Sequence, residues 1–389
     1  MHLDIVHGFG IEEFRTRVSR AQALMAETAL DGLLLTSMDN IRYFVGIDST
    51  FWESYTRPWF LLVPASGEPI AIVPGIGESV VRQTWITDVR TWPSPRPHDE
   101  GTSLVTQAIS NLKRRYGRVG AELGSEMRLM MPVMQLNAIS HGLSGVEIVD
   151  GTSVLWQLRM IKSPAEVSKI QRAIDIAGSV YAQVPDFVSL GTSEREIRRQ
   201  FTMRLLSEGA DQTPVVICRA GPGGPVEITA SPSDRPLADG DILFIDTGTV
   251  FDGYYCDFDR NFQVGKATSA LLIAQERVWE ANEVGIRAAR PGVTAGHVFE
   301  QMAKFLSSGD RDLNSNGRMG HGLGLRITEP PSVKLEDDTV LQPGMVLCIE
   351  PGLEYEPGKI LLHEETVLIT EDGAKLLTSR APQQLPQLH

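Results

Sequence analysis

Apolar residues recur at helical spacing between residues 11 and 30, at Ile11, Phe14, Val18, Ala21 and Leu24, before Gly32 and the short run Leu33 to Leu35. The first pattern predicts an amphipathic helix and the second a strand. Two further apolar runs, Trp59 to Val63 and Pro69 to Val73, flank Pro64-Ala-Ser-Gly67 and predict a hairpin. A helical pattern at 102 to 115 and a short strand at 118 to 122 extend this to a small α/β domain in the first 150 residues. Trp92-Pro-Ser-Pro-Arg-Pro97 reads as a surface loop, because proline withholds backbone donors.

From about residue 163 the texture changes to longer helices. Ser163-Pro-Ala-Glu166 and Ser193-Glu-Arg-Glu196 are capping-box sequences, the first with Pro at the opening helical position. Beyond Gly240, strand runs at Ile242 to Gly248, Tyr254 to Val264, Val346 to Glu350 and Lys359 to Thr370 alternate with helices near 268 to 289 and 294 to 307. A domain boundary is expected between 155 and 162, and no repeat of fixed period is visible.

Composition narrows the function classes. The 389 residues carry 36 Lys and Arg against 49 Asp and Glu, a net charge of −13, and 42% are hydrophobic. That excludes intrinsic disorder and suits two domains, each able to bury a core. Without a dense basic block, no nucleic-acid partner is expected, because phosphate neutralisation needs clustered positive charge. Cys218, Cys256 and Cys348 form neither a disulfide framework nor a Cys-x-x-Cys zinc pattern, which suits a reducing cytoplasm. The first residues carry acids where a signal peptide needs an apolar run, and no stretch approaches ~18 uninterrupted apolar residues. A soluble cytoplasmic protein with no membrane partner is therefore expected.

The candidate chemistry begins at Asp241 to Phe262. Asp252-Gly253 supplies hairpin turn residues, and folding there brings Asp246 opposite or nearly opposite Asp257. Facing carboxylates destabilise a strand pair, and a bound cation removes that cost. On this hairpin alone, a turn cap and a solvated acid would serve equally well. Gly317-Arg-Met-Gly-His321-Gly-Leu-Gly324 sets an imidazole among glycines that allow close backbone approach, in a spacing that does not fit a dinucleotide loop. Glu350 and Glu364 each follow an apolar strand run, and one of the pair Glu364-Glu365 is expected to point outward. Asp, Asp, His, Glu and Glu together suit Mn(II), Co(II), Fe(II) or Zn(II) rather than a thiolate site. Two ions fit better than one, because four carboxylates around a single divalent ion would leave net negative charge buried, whereas two bridged ions balance it and can clamp a hydroxide.

In order and spacing, Asp246, Asp257, His321, Glu350 and Glu364 resemble the ligands of the creatinase/prolidase/methionine aminopeptidase superfamily, the pita-bread fold. The resemblance is carried by Ile245-Asp246-Thr-Gly248, Asp257-Phe-Asp-Arg260-Asn-Phe262, Gly320-His321-Gly-Leu-Gly324, Glu350-Pro-Gly352 and Glu364-Glu365 before Val367-Leu-Ile-Thr370. Arg159 to Glu166 is similar to the entry into the family's catalytic domain, and Leu33 to Gly46 to the N-terminal domain of its creatinase and prolidase branches. The resemblance implies an α/β (α+β) chain. Its residues 1–158 would form a creatinase-type N-terminal domain and 159–389 a pita-bread metallohydrolase domain. It further implies two divalent ions, with Mn(II) first. Asp246 would bind one ion, Asp257 and Glu364 would bridge, and His321 with Glu350 would bind the other, Glu350 doubling as general base.

Two departures bear on activity. Proline-specific peptidases of the family carry histidines at positions that are Thr229 and Thr328 here. Those imidazoles contact the scissile carbonyl or its oxyanion, and a threonine hydroxyl can donate a hydrogen bond but cannot shuttle a proton at neutral pH. His363 or Arg326 could compensate. The expected function is a dinuclear hydrolase that cleaves an amide-type C–N bond in an Xaa-Pro dipeptide or analogue through a metal-bridging hydroxide. The alternative is a non-peptidase relative, either a creatinase-like amidinohydrolase or a lyase on a small osmolyte. A catalytically dead binding protein would show ligand loss, and none is lost. Finally, Phe51 to Trp59 gathers Trp52, Tyr55 and Arg57, residue types enriched at interfaces and ligand anchors. In the resembling family the N-terminal domain of one subunit walls its partner's active site, so a homodimer is expected in which these residues line the neighbour's substrate entrance.

Overall fold

The computed structural model describes residues 7–54, 57–307 and 317–389 and, of Trp52 and Glu53, the backbone alone. Trp52 as a side chain and Tyr55 therefore lie outside the described residues. Two compact units emerge, His7–Arg159 and a second containing Met160–His389.

The first unit is built on a six-stranded mixed sheet in the order β4-β3-β2-β1-β5-β6. Its strands are β1 (Gly32–Leu35), β2 (Phe60–Pro64), β3 (Ile70–Pro74), β4 (Asp88–Trp92), β5 (Arg118–Ala121) and β6 (Glu147–Asp150). The expected hairpin is the antiparallel pair β2/β3, and β1 is buried along its whole length. The helix Ile11–Glu27 turns its stripe of Phe14, Val18, Ala21 and Met25 inward. A helix not anticipated from the pattern, Met38–Val45, starts where the Ser37 side chain accepts the Asn40 N–H and ends at Gly46, whose φ of 79° only glycine adopts without strain. It is short and buried on most sides, so its sequence lacks the alternation that reveals an amphipathic helix.

In the second unit two long helices followed by strands occur twice. Helices Pro164–Ala182 and Glu194–Ser207 precede β7 (Gln212–Pro222), β8 (Asp241–Phe251), β9 (Tyr254–Tyr255) and β10 (Phe258–Val264). Helices Ser269–Ala288 and Ala295–Leu306 precede β11 (Gly320–Gly322), β12 (Glu329–Ser332), β13 (Val346–Ile349), β14 (Gly352–Glu356), β15 (Lys359–Leu362), β16 (Glu365–Thr370), β17 (Gly373–Leu376) and β18 (Gln387–Leu388). The strands form two five-stranded sheets, β18-β10-β8-β7 with β9 on β8, and β12-β11-β13-β16-β17, plus the ribbon β14-β15. Among the described residues all strand pairs of this unit are antiparallel except the parallel pair of β10 and β18. Side chains such as Phe299, Met302, Leu347, Ile349 and Val367 form the core between the second helix pair and its sheet. Among the described residues no helix is long and apolar enough to cross a membrane.

The Ser163 capping box forms in full. At Ser193 only half of it forms: Ser193 accepts the Glu196 N–H, but the Glu196 carboxylate bonds Arg199 and Gln200 instead. Two strands expected to be continuous are broken. Tyr254 to Val264 divides around Cys256-Asp257, and Lys359 to Thr370 divides around His363-Glu364.

Candidate metal centre

Those breaks build the site. Asp246 sits mid-strand in β8, held by β7 on one side and β10 on the other. The turn at Asp252-Gly253 has φ values of 47° and 81°, the two left-handed residues a tight hairpin needs, and it fixes the register. That register sets Asp259, not Asp257, directly across from Asp246. Asp257 lies in the gap between β9 and β10 and shares a hydrogen bond with Asp246. Glu364 lies in the gap between β15 and β16, where its N–H leaves the ladder and donates to Asp259 Oδ1 at 3.1 Å. Glu350 follows β13 immediately.

His321 is central in β11, between β12 and β13. The glycines on either side serve packing: a Cβ on Gly320 would collide with the Cys348 carbonyl, and one on Gly322 with that of Pro330. His321 Nδ1 lies 3.0 Å from the Gly322 carbonyl, to which it donates. That leaves Nε2 unprotonated and facing the acids, 3.4 Å from Asp257 Oδ2 and 3.6 Å from Glu350 Oε1.

Burial makes these acids resist ionisation. Burial raises Asp246 to about 6 and Glu350 to about 7. Burial first, and then the neighbouring carboxylates, push Asp257 and Glu364 well above the usual range. Burial likewise lowers His321 to about 4, so the imidazole is neutral and able to ligate. Asp246 Oδ1 and Glu364 Oε1 are buried with no hydrogen-bond partner. Unpaired buried oxygens beside a neutral imidazole fit divalent cations, which would replace the protons these acids otherwise retain. The ligand atoms of Asp257, His321 and Glu364 all lie within 4.8 Å of one another, together with the thiol of Cys348.

Other expected participants are placed differently. His363 Nε2 lies 2.9 Å from Arg380 Nη1 and 3.6 Å from Glu365 Oε1, and the residue lines a cavity of about 420 Å³ with Tyr181 and Gln275; its ring serves Glu365 rather than the acid cluster. Glu365 does not point outward as one of its pair was expected to. It is fully buried, and although burial works to raise it, the adjacent His363 imidazole and the charge of Arg260 bring it down to about 2. Arg260 also donates to the Glu364 carbonyl at 3.1 Å, which fixes the broken strand from behind. Thr229 is exposed and its hydroxyl donates to Glu227 at 3.2 Å. Arg326 is exposed, with its backbone N–H on Glu329. Arg57 is half-buried in the first unit; against the upward push of burial, hydrogen bonds from Trp92, Arg96 and Ser94 lower Glu100, and the charge of Arg57 adds to them. Thr328 does face the site, as its hydroxyl accepts from Arg318 Nη2 at 3.3 Å.

Three residues escaped the sequence reading. Asp259 and Cys348 stand two positions from Asp257 and Glu350, and that period-2 spacing was the signal available. The Cys348 S–H donates to the Asp257 carbonyl at 3.6 Å, so a thiol does border the oxygen cluster. Arg318, 3.8 Å from Glu350 Oε1, had no signal beyond its nearness to His321 in the chain.

Residues 168–371 match metallopeptidase family M24, and residues 17–161 match the creatinase/prolidase N-terminal domain. The chain belongs to metallopeptidase family M24. It is thus a metal-dependent peptidase with the pita-bread catalytic fold. This M24 chain is 30% identical over 376 residues to the probable dipeptidase PepE of Mycobacterium tuberculosis, with 94% of each chain covered. It is 34% identical over 230 residues to the Xaa-Pro dipeptidase of Pyrococcus furiosus, covering 58% of this chain and 65% of that one. The crystal structure of dipeptidase PepE from Mycobacterium ulcerans superposes with a TM-score of 0.84 at 28% identity, covering 98% of this chain and 99% of that one.

Proposed function

We propose that this M24 peptidase is an Xaa-Pro dipeptidase-like enzyme that uses two divalent ions. Asp246, Asp257, His321, Glu350 and Glu364 would hold the ions, and residues 1–158 and 159–389 would act as N-terminal and catalytic domains. The observation that carries this is the convergence of Asp257, His321 and Glu364 within 4.8 Å, beside unpartnered oxygens of Asp246 and Glu364. When bound, the ions acidify a water and polarise the substrate carbonyl. Glu350, a fifth exposed and raised toward neutrality by burial, takes the proton from the attacking water and can return it to the leaving amine. Thr328 offers a hydroxyl at the rim of the site. The hard oxygen set favours Mn(II), with Co(II), Fe(II) and Zn(II) as the other candidates. A cytoplasmic homodimer completes the proposal, with Trp52, Tyr55 or Arg57 of one protomer lining the entrance to its partner's site.

Metal analysis of protein purified without chelator should find up to two ions per chain, and Asp257→Ala should lose most of them. Full metal content in that variant would remove the site assignment. A panel of Xaa-Pro dipeptides tests the substrate, and light scattering with the kinetics of Trp52→Ala tests the dimer.

A further inference from the structure

Four carboxylates converge on this site, and among the described residues Arg318 brings positive charge to its part-exposed side, beside Glu350. Its guanidinium is about one-third exposed, with Nε 3.8 Å from Glu350 Oε1 and Nη2 donating to Thr328 Oγ1. Among the described residues, Nη1 has no hydrogen-bond partner. The fork is therefore aimed by two neighbours and keeps donors free. Arg260 is also near, but it is spent on the Asp259, Glu364 and Ser379 carbonyls and on the Glu365 carboxylate.

We infer that Arg318 is a catalytic residue that receives the oxyanion of the tetrahedral intermediate, with Thr328 as its positioning residue. The inference rests on the peptidase reading. Its location decides between two uses of a cation here. The base must touch the attacking water, and that water must lie about 3 Å from the scissile carbon. A guanidinium 3.8 Å from the base carboxylate is thus within reach of the scissile carbonyl oxygen, whereas a dipeptide's terminal carboxylate lies several bonds further along the substrate. Charge points the same way. The amide carbonyl is neutral in the ground state and becomes anionic on attack, so a fixed cation favours the transition state over the substrate. No rearrangement is needed to aim the fork, since Arg318 already meets the Thr328 hydroxyl.

The test compares wild type with Arg318→Gln, Arg318→Lys and Thr328→Val, each checked for unchanged metal content. The probes are an Xaa-Pro dipeptide for turnover and its phosphinic isostere, a tetrahedral anion, for binding by calorimetry. Arg318→Gln should lower kcat by about 10²-fold, leave KM within about twofold, and weaken the phosphinate by a similar 10²-fold. Lysine should restore part of both losses, and Thr328→Val should cost roughly tenfold in kcat, as for a lost positioning contact. Wild type that binds the phosphinate tightly but cleaves no dipeptide, with binding lost in Arg318→Gln, would overturn the Xaa-Pro reading and keep this one. Three outcomes would overturn the Arg318 role: phosphinate binding equal in wild type and Arg318→Gln, a raised KM at unchanged kcat, or a shifted pH–rate limb with an unchanged plateau. The second would make Arg318 a carboxylate anchor, and the third a tuner of Glu350.

Discussion

Removing the metal should leave a protein that loses stability as pH rises, and the buried acids set the size of the loss. In the metal-free chain burial raises Asp246 to about 6 and Glu350 to about 7, and it drives Asp257 and Glu364 well upward. A carboxyl whose folded pKa exceeds its unfolded value holds its proton more tightly when folded. Its stabilisation is full below the unfolded pKa, near 4, and is lost as pH climbs through the folded one. His321 acts with the opposite sign: lowered to about 4 by burial, it favours the folded state increasingly as pH rises toward about 6.5. Between about pH 5 and pH 7.5, Asp246 and Glu350 together outweigh His321 by roughly 2 kcal/mol, at about 1.4 kcal/mol per pKa unit. Asp257 and Glu364 add to that loss. The assay is urea unfolding of chelator-treated protein across this range, followed by far-UV circular dichroism. The midpoint should fall as pH rises, and Mn(II) should remove the slope while releasing protons. Asp257→Asn should flatten the slope of the metal-free protein. A metal-free midpoint that stays level or rises over this range would refute the reasoning.

Glu350→Gln should reduce turnover by about 10²-fold or more with the fold intact by circular dichroism, and a variant retaining more than about a tenth of the rate would deny it the role of base. Gly320→Ala should lower stability by about 3 kcal/mol, read as a reduced Tm, because φ there is +149° and the new Cβ meets the Cys348 carbonyl. It should also reduce metal content, since His321 must shift. Glu329→Gln should cost about 3 kcal/mol in a urea titration, because it leaves Lys162, 3.3 Å away and equally buried, as an uncompensated charge.

The chain pattern by itself was enough for the broad architecture. Apolar periodicity and capping residues are local properties, so the helix at Ile11–Glu27, the β2/β3 hairpin and the full cap at Ser163 could be read directly. Ligand chemistry was also local, because carboxylates and an imidazole amid apolar strand runs are costly to bury without a cation. What the sequence could not carry was register and the places where strands stop. Asp257 and Glu364 occupy breaks in what read as continuous strands, and each break depends on partners distant in the chain, such as Asp259 receiving the Glu364 N–H across 105 positions. Tertiary packing also decided which neighbour of each motif faced inward. It turned His363 toward Arg380 and Glu365, buried Glu365 against Arg260, and brought Arg318 and Thr328 to the rim beside Glu350. A side chain's direction at a strand end follows from the contacts that end the strand, and those contacts exist only in the folded chain.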